Sequence, residues 1–346
     1  MAEAAPEMAL TVVVPPYWRD ERGRSDLEHT YTDGYELSVQ HMAFNGAFHL
    51  HFYPRLRAVI DAARPDLVHI DEEPYNLATY HANKLARRTG AKTLWFSWQN
   101  LYRRYPPPFS WIERYNLTHI DHAIVGSQTA AEIWRAKGYE GPLSVIPQFG
   151  VDADVFHPGS EEDRDGIMHI AYVGRFVAEK GVDLLLAALS QLQGDWRATL
   201  LGSGPAEAAL REQTTALGLT KQVTFRPWLP STQMPAFYRK VDVLVLPSRT
   251  RPNWTEQFGR VLIEAMASGV AVVGSRAGEI PHVIGEAGLL FGEDDADELR
   301  HCLNEISRQP ALRRELGAQG RARVLGHFTQ QRIADATLDV YRQVLR

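Results

Sequence analysis

The chain has 346 residues, 45% of them hydrophobic and 23% charged, which is a globular composition at a length that suggests two domains. A formal net charge of -5 and a pI near 6.2 argue against a surface built to bind nucleic acid. A single cysteine, Cys302, excludes an internal disulfide framework and indicates a reducing compartment, and neither a membrane span nor a secretory signal is evident.

Short β-branched segments alternate with helical patterns in the first half, which predicts a parallel sheet covered by helices. The predicted strands are Leu10–Val14, Leu67–Ile70, Thr93–Phe96, His122–Val125 and Leu143–Ile146, with further extended segments at Tyr35–Gln40 and Phe48–Tyr53. The predicted helices are Pro54–Ala63, Leu77–Arg88 and Ala130–Lys137. Proline, glycine and acidic residues then cluster at Asp152–Asp165, which predicts a linker.

The same alternation restarts in the second half and predicts another α/β domain. Its strands are expected at His169–Val173, Arg197–Leu201, Val223–Phe225, Val243–Leu246 and Ala271–Gly274. Its helices are expected at Val182–Leu192, Ala206–Leu217, Met234–Tyr238, Phe258–Ser268, Asp297–Arg308, Ala311–Leu325 and Gln330–Leu345. Two such domains would form a cleft, where we expect the ligand.

The segment NWTEQFGRVLIEAMASG places one glutamate before an apolar helix and another inside it. If the helix begins near Phe258, Glu264 lies away from the apolar face and close to Arg260. One interpretation is an exposed ion pair, although arginine before glutamate is the weaker order of charges on a helix. The other is that Glu264 accepts hydrogen bonds from ligand hydroxyl groups, for which an ionised carboxylate is a strong acceptor.

The start of this helix has the features of an anion site. Gln257, Phe258 and Gly259 can direct backbone N–H groups at an anion, and a glycine allows close approach to the main chain. Glu256 precedes them, either as an acidic residue favoured near a helix N-terminus or as a second hydroxyl acceptor. The two carboxylates would then flank a bound phosphate group.

Two loops earlier in this half supply cations and glycines. The segment YVGRFVAEKGVDLLLAAL carries Arg175 and Lys180 in the loop after a strand, where open sheets bind ligands. A solvated basic pair is the simpler interpretation of these residues taken alone. The segment LLGSGPAEAAL has Gly202 and Gly204 between a strand and a helix, which is weak evidence by itself.

These motifs are more specific together than singly. In chain order they are Gly-Arg-x4-Lys-Gly at 174–181, Gly-x-Gly-Pro at 202–205, VDVLVLPSR at 241–249, Glu-x7-Glu at 256–264 and GSRAGEIPHVIGEAGLLF at 274–291. This combination resembles the retaining glycosyltransferases of family four over roughly residues 165–325. The first half is similar in a looser way, through RPDLVHIDEEPYNLA, HAIVGSQTAAEIW and VIPQFGVDADVFHP.

The resemblance implies the GT-B fold: two Rossmann-like, doubly wound parallel-sheet domains with the donor cleft between them. The acceptor-side domain would span residues 1–158, the nucleotide-sugar domain 159–328, and a helix over 329–346 would cross back to the first domain. The implied activity is retaining transfer of a hexose-like sugar from a nucleotide diphosphate sugar to a glycan, glycolipid or small molecule. It would need no metal or other cofactor, in the cytoplasm or at the inner face of a membrane.

Two alternatives stay open at this point: a nucleotide-sugar epimerase of the same fold, and a protein that binds a nucleotide sugar without turnover. For transfer and for binding alike, the resemblance implies that Arg175 and Lys180 bind the donor's diphosphate. It implies that Glu264 binds the ribose and Glu256 the transferred sugar. The other donor-binding residues that it implies are Gly174, Gly204, Gln257, Phe258 and Gly259.

The chain departs from the family in two places. Many members carry a histidine facing the donor sugar, whereas Gln99 stands there in this chain, with Asn100 beside it on the acceptor or sugar side. An amide cannot serve as a general base. His69 is another candidate, which we expect to be structural. The surrounding WFSWQNLYRRYPPPFSW either receives a sugar or lipid acceptor or packs on its own aromatic rings.

The second departure is the opening MAEAAPEMALTVVVPPYW, which resembles the end of the family's first helix followed by its second strand. The first βα unit is therefore expected to be absent. On this interpretation Met1 is an internal methionine or an artificial boundary. An upstream extension of roughly 30–45 residues, the size of one βα unit, would restore stability and activity.

Overall fold

The computed structural model describes residues 1–20, 23–29, 32–160 and 166–346. The chain divides into two compact units, one formed by Met1–Gln148 with Ile333–Arg346 and the other by Phe149–Arg332. In the predicted linker, residues 153–155 form a turn, residues 157–160 have no regular structure, and the Asp152 carboxylate accepts the Asp154 N–H at 2.9 Å. The rest of that linker, 161–165, lies outside the described residues. No helix in the described part is long and apolar enough to cross a membrane.

The first unit opens with two small sheets. Its first four strands are β1 (Thr11–Val14), β2 (Tyr17–Asp20), β3 (Gly23–Asp26) and β4 (Glu36–Val39). Strands β1 and β4 pair in parallel, which confirms the first predicted strand and the extended segment at Tyr35–Gln40. Strands β2 and β3 form an antiparallel pair that the sequence did not predict, because RD and GRSD are polar segments of low strand propensity.

The extended segment predicted at Phe48–Tyr53 is wrong for its first half. The backbone N–H groups of Leu50 and His51 both donate to the Ala47 carbonyl, at 2.9 and 3.0 Å, so residues 48–50 lie in a turn, whereas Phe52 pairs with Ala43 in an isolated antiparallel bridge. Phe48 and Leu50 are exposed while His51 is buried. That alternation mimics the period of a strand without forming a ladder.

The main sheet of the first unit is parallel, with the order β5-β6-β7-β8. Its strands are β5 (Leu67–Ile70), β6 (Lys92–Ser97), β7 (His122–Val125) and β8 (Leu143–Val145), and its helices are α1 (Leu56–Ala63), α2 (Leu77–Arg88), α3 (Phe109–Thr118) and α4 (Gln128–Ala136). Side chains alternate along β6: Trp95 packs with Trp134 on one face, whereas Leu94 and Phe96 pack with Val340 on the other. Helix α3 was not predicted, because it follows three consecutive prolines.

The second unit has one parallel sheet with the order β11-β10-β9-β12-β13-β14. Its strands are β9 (Met168–Val173), β10 (Trp196–Leu201), β11 (Val223–Arg226), β12 (Val243–Leu246), β13 (Ala271–Ser275) and β14 (Leu289–Phe291). The helices from here to the end are α5 (Val182–Leu189), α6 (Glu207–Ala216), α7 (Met234–Tyr238), α8 (Arg260–Ala267), α9 (Ile280–Ile284), α10 (Ala296–Arg308), α11 (Pro310–His327) and α12 (Gln330–Leu345). Strand β14 and helix α9 were not predicted.

This sheet is doubly wound, as predicted. From β9 the chain moves outward through β10 to β11, and then returns to β12 on the other side of β9. The strand order therefore reverses between β9 and β12, and open sheets of this kind bind ligands at the carboxyl ends of such a strand pair. Every residue of β9 and β12 is buried, as expected for central strands covered on both faces.

Candidate active site

The loops after β9 and β12 are packed backbone against backbone. A short 3₁₀ turn, Ala178–Lys180, leads into Gly181, which begins helix α5 with φ at 65°. A Cβ on Gly181 would lie 2.0 Å from the Pro247 carbonyl oxygen, so only glycine fits this position. This contact places Lys180 beside the residues that follow β12.

Arg249 locks the same two loops together. Its guanidinium donates to both carboxylate oxygens of Asp183, at 2.7 and 2.8 Å, and also pairs with Asp294. Its backbone N–H donates to the Glu179 carbonyl at 2.8 Å. A bidentate arginine–carboxylate pair fixes geometry as well as charge. The sequence analysis quoted Arg249 only as part of the motif VDVLVLPSR. It did not predict that this arginine joins the two loops.

Lys180 and Glu256, which the resemblance assigned to diphosphate and sugar respectively, lie in direct contact. The Lys180 Nζ is 2.6 Å from Glu256 Oε2, and the Ser248 hydroxyl donates to the same oxygen at 2.7 Å. The ammonium group also lies 4.9 Å from the centroid of the Trp254 ring. An ammonium group has three donors, so Lys180 can bind a phosphate oxygen while it stays paired with the carboxylate.

The loop after β13 completes the frame around Glu256. The Glu279 N–H donates to the Glu256 carbonyl at 3.1 Å. Gly278 has φ at 52°, and a Cβ there would lie 2.2 Å from that same carbonyl oxygen. Glu256 is therefore fixed by the loops after β9, β12 and β13, which all lie at the carboxyl edge of the sheet. Gly278 was quoted within a motif but given no role.

Helix α8 begins at Arg260, two residues later than predicted. Gly259 precedes it with φ at 78°, a left-handed conformation that prevents the helix from extending further toward the N-terminus. No side chain caps this N-terminus. Phe258 is instead buried, with its ring 5.8 Å from that of Phe328, and Gln257 is exposed. The first backbone N–H groups of a helix have no partner within it, so this uncapped start can bind an anion.

Glu264 forms the ion pair of the first interpretation, but its side chain is buried and not exposed as expected. Its Oε1 lies 2.9 Å from the Arg260 Nε, which is the ion pair between residues i and i+4. Its Oε2 accepts the Tyr238 hydroxyl at 3.1 Å, and the carboxylate is buried, which raises its pKa. Each carboxylate oxygen has two lone pairs and can accept a further ligand hydroxyl. Tyr238 could not have been found from sequence spacing.

Arg175 and the glycines lie in the loops after β9 and β10. The Arg175 side chain is exposed and makes no hydrogen bond or ion pair with any residue that the structure describes. A Cβ on Gly202 would lie 1.9 Å from the Gly174 carbonyl oxygen, and one on Gly204 would lie 2.3 Å from the Phe176 carbonyl oxygen. The close contact of the two loops therefore requires these glycines with or without a ligand.

In the first unit, Gln99 and Asn100 follow β6 and are both 7% exposed. The Gln99 Nε2 donates to the Leu101 carbonyl at 2.9 Å. Its Oε1 is buried and meets no hydrogen-bond donor within the described ranges. A buried acceptor without a donor costs about 1–3 kcal/mol, so a ligand hydroxyl or a water molecule would be stabilising there.

His69 is bonded within the first unit. Its Nδ1 lies 2.7 Å from the hydroxyl of Tyr341 in α12, and burial lowers its pKa to about 4. The ring is neutral at neutral pH, in keeping with a structural role. In the aromatic loop, Tyr105 packs on Tyr75 with centroids 4.2 Å apart, whereas Trp111 is 68% exposed. Tyr105 of this segment therefore packs on a ring outside it, whereas Trp111 is open to solvent.

The parallel sheets of the two units, and the acidic and basic side chains at the switch point of the second, define Rossmann-like units of the GT-B type. Among the described strands, the order reversal predicted for both sheets is seen only in the second, because the main sheet of the first unit runs β5-β6-β7-β8. The family model described as "Glycosyl transferases group 1" matches residues 158–323, and that of the "Glycosyl transferase 4-like domain" matches residues 2–148. The chain belongs to this family of glycosyltransferases, and the sequence-based recognition of the family and of the GT-B fold is confirmed.

Individual relatives share this organisation. A GDP-mannose-dependent alpha-(1-6)-phosphatidylinositol monomannoside mannosyltransferase of Mycolicibacterium smegmatis is 29% identical over 57% of this chain and 56% of its own length. A sucrose-phosphate synthase of Thermosynechococcus elongatus has a TM-score of 0.72 at 24% identity, over 99% of this chain and 90% of its own. Anabaena HepE in complex with UDP has a TM-score of 0.69 at 20% identity, over 89% of this chain and 86% of its own. The chain spans 46–66% of the length of the first curated relatives it matches.

Proposed function

We propose that the protein is a glycosyltransferase that moves a sugar from a nucleotide diphosphate sugar to an acceptor with retention of anomeric configuration. The observation that carries this proposal is the contact between Lys180 and Glu256 at the start of α8. It joins a cation to a hydroxyl acceptor at the switch point of the sheet, and the acceptor lies four residues before an uncapped helix N-terminus. Those are the groups that a diphosphate joined to a sugar requires.

The donor side follows from the charges of these groups. Lys180, the exposed Arg175 and the start of α8 supply fixed positive charge for the diphosphate. The buried Glu264 carboxylate suits the ribose hydroxyls. Fixed dipoles and cations can stabilise a leaving diphosphate electrostatically, so we propose that no metal is required. The nucleobase stays open, since one relative is named for GDP-mannose and another was solved with UDP.

The proposal of retention is supported by the groups that can take the acceptor's proton. Gln99 is an amide and cannot act as a base, and the Glu256 carboxylate is held by Lys180 and Ser248. We therefore propose that a phosphate oxygen of the departing nucleotide takes the proton of the attacking hydroxyl. Attack on the side of the leaving group preserves the anomeric configuration. In this proposal Gln99 Oε1 accepts a hydroxyl of the sugar or the acceptor, with Asn100 beside it.

The acceptor side of the proposal is a glycan or a lipid-linked acceptor, with peripheral membrane contact. Its support is the exposed part of the first unit, where Phe48 is 60% exposed and Trp111 is 68% exposed. Arg103 and Arg104, both exposed, lie between the exposed Tyr102 and the packed Tyr105. Exposed aromatic side chains beside arginines suit an anionic lipid headgroup with an apolar tail.

A product assay distinguishes this function from the alternatives. The full chain is incubated with nucleotide sugars and with three acceptors: water alone, soluble glycans, and lipid-linked sugars in vesicles. We expect transfer with the α-linkage of an α-donor retained, seen by NMR of the product, and an unchanged rate with EDTA. Epimerised donor in the absence of acceptor would instead show an epimerase. Binding without any product would show a protein that lacks turnover, and inverted product would contradict the mechanism.

A further inference from the structure

Glu73 has no role in the transfer as proposed, yet its carboxylate joins the ends of two strands in the first unit. Its Oε2 accepts the Ser97 hydroxyl at 2.6 Å, and its Oε1 accepts the Trp98 backbone N–H at 2.9 Å. The Thr79 hydroxyl donates to the backbone carbonyl of Glu73 at 2.7 Å, which fixes its main chain. The side chain therefore spans from the loop after β5 to the turn after β6.

The Ser97 hydroxyl has to donate to this carboxylate. Its oxygen already accepts the Trp134 indole N–H at 2.8 Å and the Gln99 backbone N–H at 3.0 Å. A hydroxyl has two lone pairs and one hydrogen, so that hydrogen is directed to Glu73 Oε2. Both carboxylate oxygens then act as acceptors. Protonation would put a hydrogen on one of these oxygens, and on Oε2 that hydrogen would face a hydroxyl that has no lone pair left.

The turn that Glu73 holds also carries Gln99 and Trp98. The Trp98 indole donates to Gln148 Oε1 at 2.9 Å, and a Cβ on Gly126 would lie 2.3 Å from the Trp98 ring. The turn is therefore held from the β5, β7 and β8 sides of the sheet. Glu73 is an ionisable group that contacts the turn directly, and Asp71 accepts the Gln148 amide at 2.8 Å. Glu73 has bonds with two successive residues of the turn. It accepts from both residues at the end of β6 that precede Gln99.

We propose that Glu73 is a positioning residue whose carboxylate sets the turn after β6 so that the carbonyl oxygen of Gln99 faces a hydroxyl of the sugar or the acceptor. This rests on the proposed function, because it names what Gln99 binds. Glu73 itself touches no reacting atom. It acts by keeping the buried Oε1 of Gln99 in place, where the described residues provide no donor to hold it.

The charges around Glu73 give this arrangement a dependence on pH. Burial raises the pKa of Glu73 to about 7, against the lowering effect of the bonds from Ser97 and Trp98. The neighbouring Glu72 carboxylate raises the pKa further, and the Lys137 ammonium lowers it. Other titratable groups near this region include Glu113, paired with Lys137 at 2.6 Å, His51, paired with Glu72 at 2.8 Å, and the phenols of Tyr75 and Tyr105 beside Arg103. Asp71, which accepts the Gln148 amide, is a further one.

Stability and activity should therefore change in opposite directions with pH. A carboxyl whose folded pKa is raised favours the protonated folded state, so its contribution to stability is lost as pH rises from about 4.5 to about 7. The turn needs the ionised form, so kcat should fall as pH falls through about 7. A residue that served stability alone would not produce this opposition.

The test uses Glu73→Gln in the full chain, with Glu72→Gln as the matched control. An amide offers one acceptor where the carboxylate offers two, so Glu73→Gln should lower kcat on the order of ten- to a hundredfold and flatten its pH profile. The donor KM should be unchanged, because the donor groups lie in the second unit. Glu72→Gln removes a charge that raises the pKa of Glu73. In this control the maximal kcat should be unchanged, and the midpoint of the pH profile of kcat should move to lower pH.

Melting curves across pH, which need no substrate, separate two kinds of failure. In one case the pH dependence of melting is lost in Glu73→Gln and the unmodified chain binds no nucleotide sugar. That result would overturn the proposed function and the role of Gln99 with it. Transfer by the unmodified chain, combined with wild-type kcat and pH profile in Glu73→Gln, would overturn only the positioning role of Glu73. A changed donor KM with unchanged kcat would also overturn it.

Discussion

Replacing Lys180 with alanine is expected to weaken nucleoside-diphosphate binding roughly ten- to a hundredfold and to abolish most transfer. The variant removes a hydrogen bond between charged groups, worth about 1.5–3 kcal/mol, at the position of the leaving group. It also leaves Glu256, whose side chain is 10% exposed, without its cation. The free energy of unfolding should therefore decrease. Breaking a fully buried ion pair costs about 3–5 kcal/mol, which is the upper limit expected here.

Arg175→Ala is the control that separates charge from folding. The Arg175 side chain is exposed and contacts no described partner, so its removal should leave stability within about 0.5 kcal/mol. Transfer should nevertheless fall strongly, because the diphosphate loses a cation. Calorimetry that gave unchanged affinity for nucleoside diphosphates in both variants would rule out this placement of the donor.

The two glutamates are expected to differ when each is changed to glutamine. Glu264→Gln should weaken free nucleoside diphosphate and nucleotide sugar alike, about tenfold or more, because the ribose belongs to both. Glu256→Gln should leave nucleoside-diphosphate binding undiminished, since it releases Lys180 from its ion pair, while transfer falls. Equal weakening of the bare nucleotide by both variants would show that the roles are wrongly assigned.

The raised pKa of Glu264 adds a pH dependence to this comparison. Because burial favours its protonated form, the carboxylate should lose acceptor capacity at a higher pH than an ordinary glutamate. Nucleotide affinity should therefore decrease as pH falls through that raised pKa. The decrease should be absent in Glu264→Gln, which cannot titrate. Affinity titrations at several pH values with both proteins check this directly.

The sheet of the second unit could be predicted because its central strands are short apolar runs bounded by turn residues. Glu256 and Lys180 were both chosen from sequence, but their contact joins residues 76 positions apart and depends on Gly181 and Gly278. A close approach of two backbones has no local pattern, so spacing could not reveal it. The start of α8 was predicted two residues too early. The apolar pattern extends back to Phe258, but the left-handed conformation of Gly259 makes the helix begin at Arg260.

The first unit was harder to predict. The exposed Phe48 and Leu50 alternate with a buried histidine in a turn, and helix α3 begins directly after a run of prolines. Glu73 was quoted only within the family resemblance, because the bonds that define it come from residues 24 and 25 positions later. Side chains that join one strand end to another are visible only once the sheet order is known.

Calorimetric titration of the unmodified chain with UDP, GDP and ADP, and with their sugar derivatives, tests the central claim most directly. We predict that one nucleoside diphosphate and its sugar bind with one site per chain and a Kd between about 1 μM and 1 mM, the usual range for enzyme substrates. EDTA should not change that affinity, and the nucleoside without phosphates should bind far more weakly. Failure of every nucleotide sugar to bind the folded chain would contradict a donor site at Lys180 and Glu256.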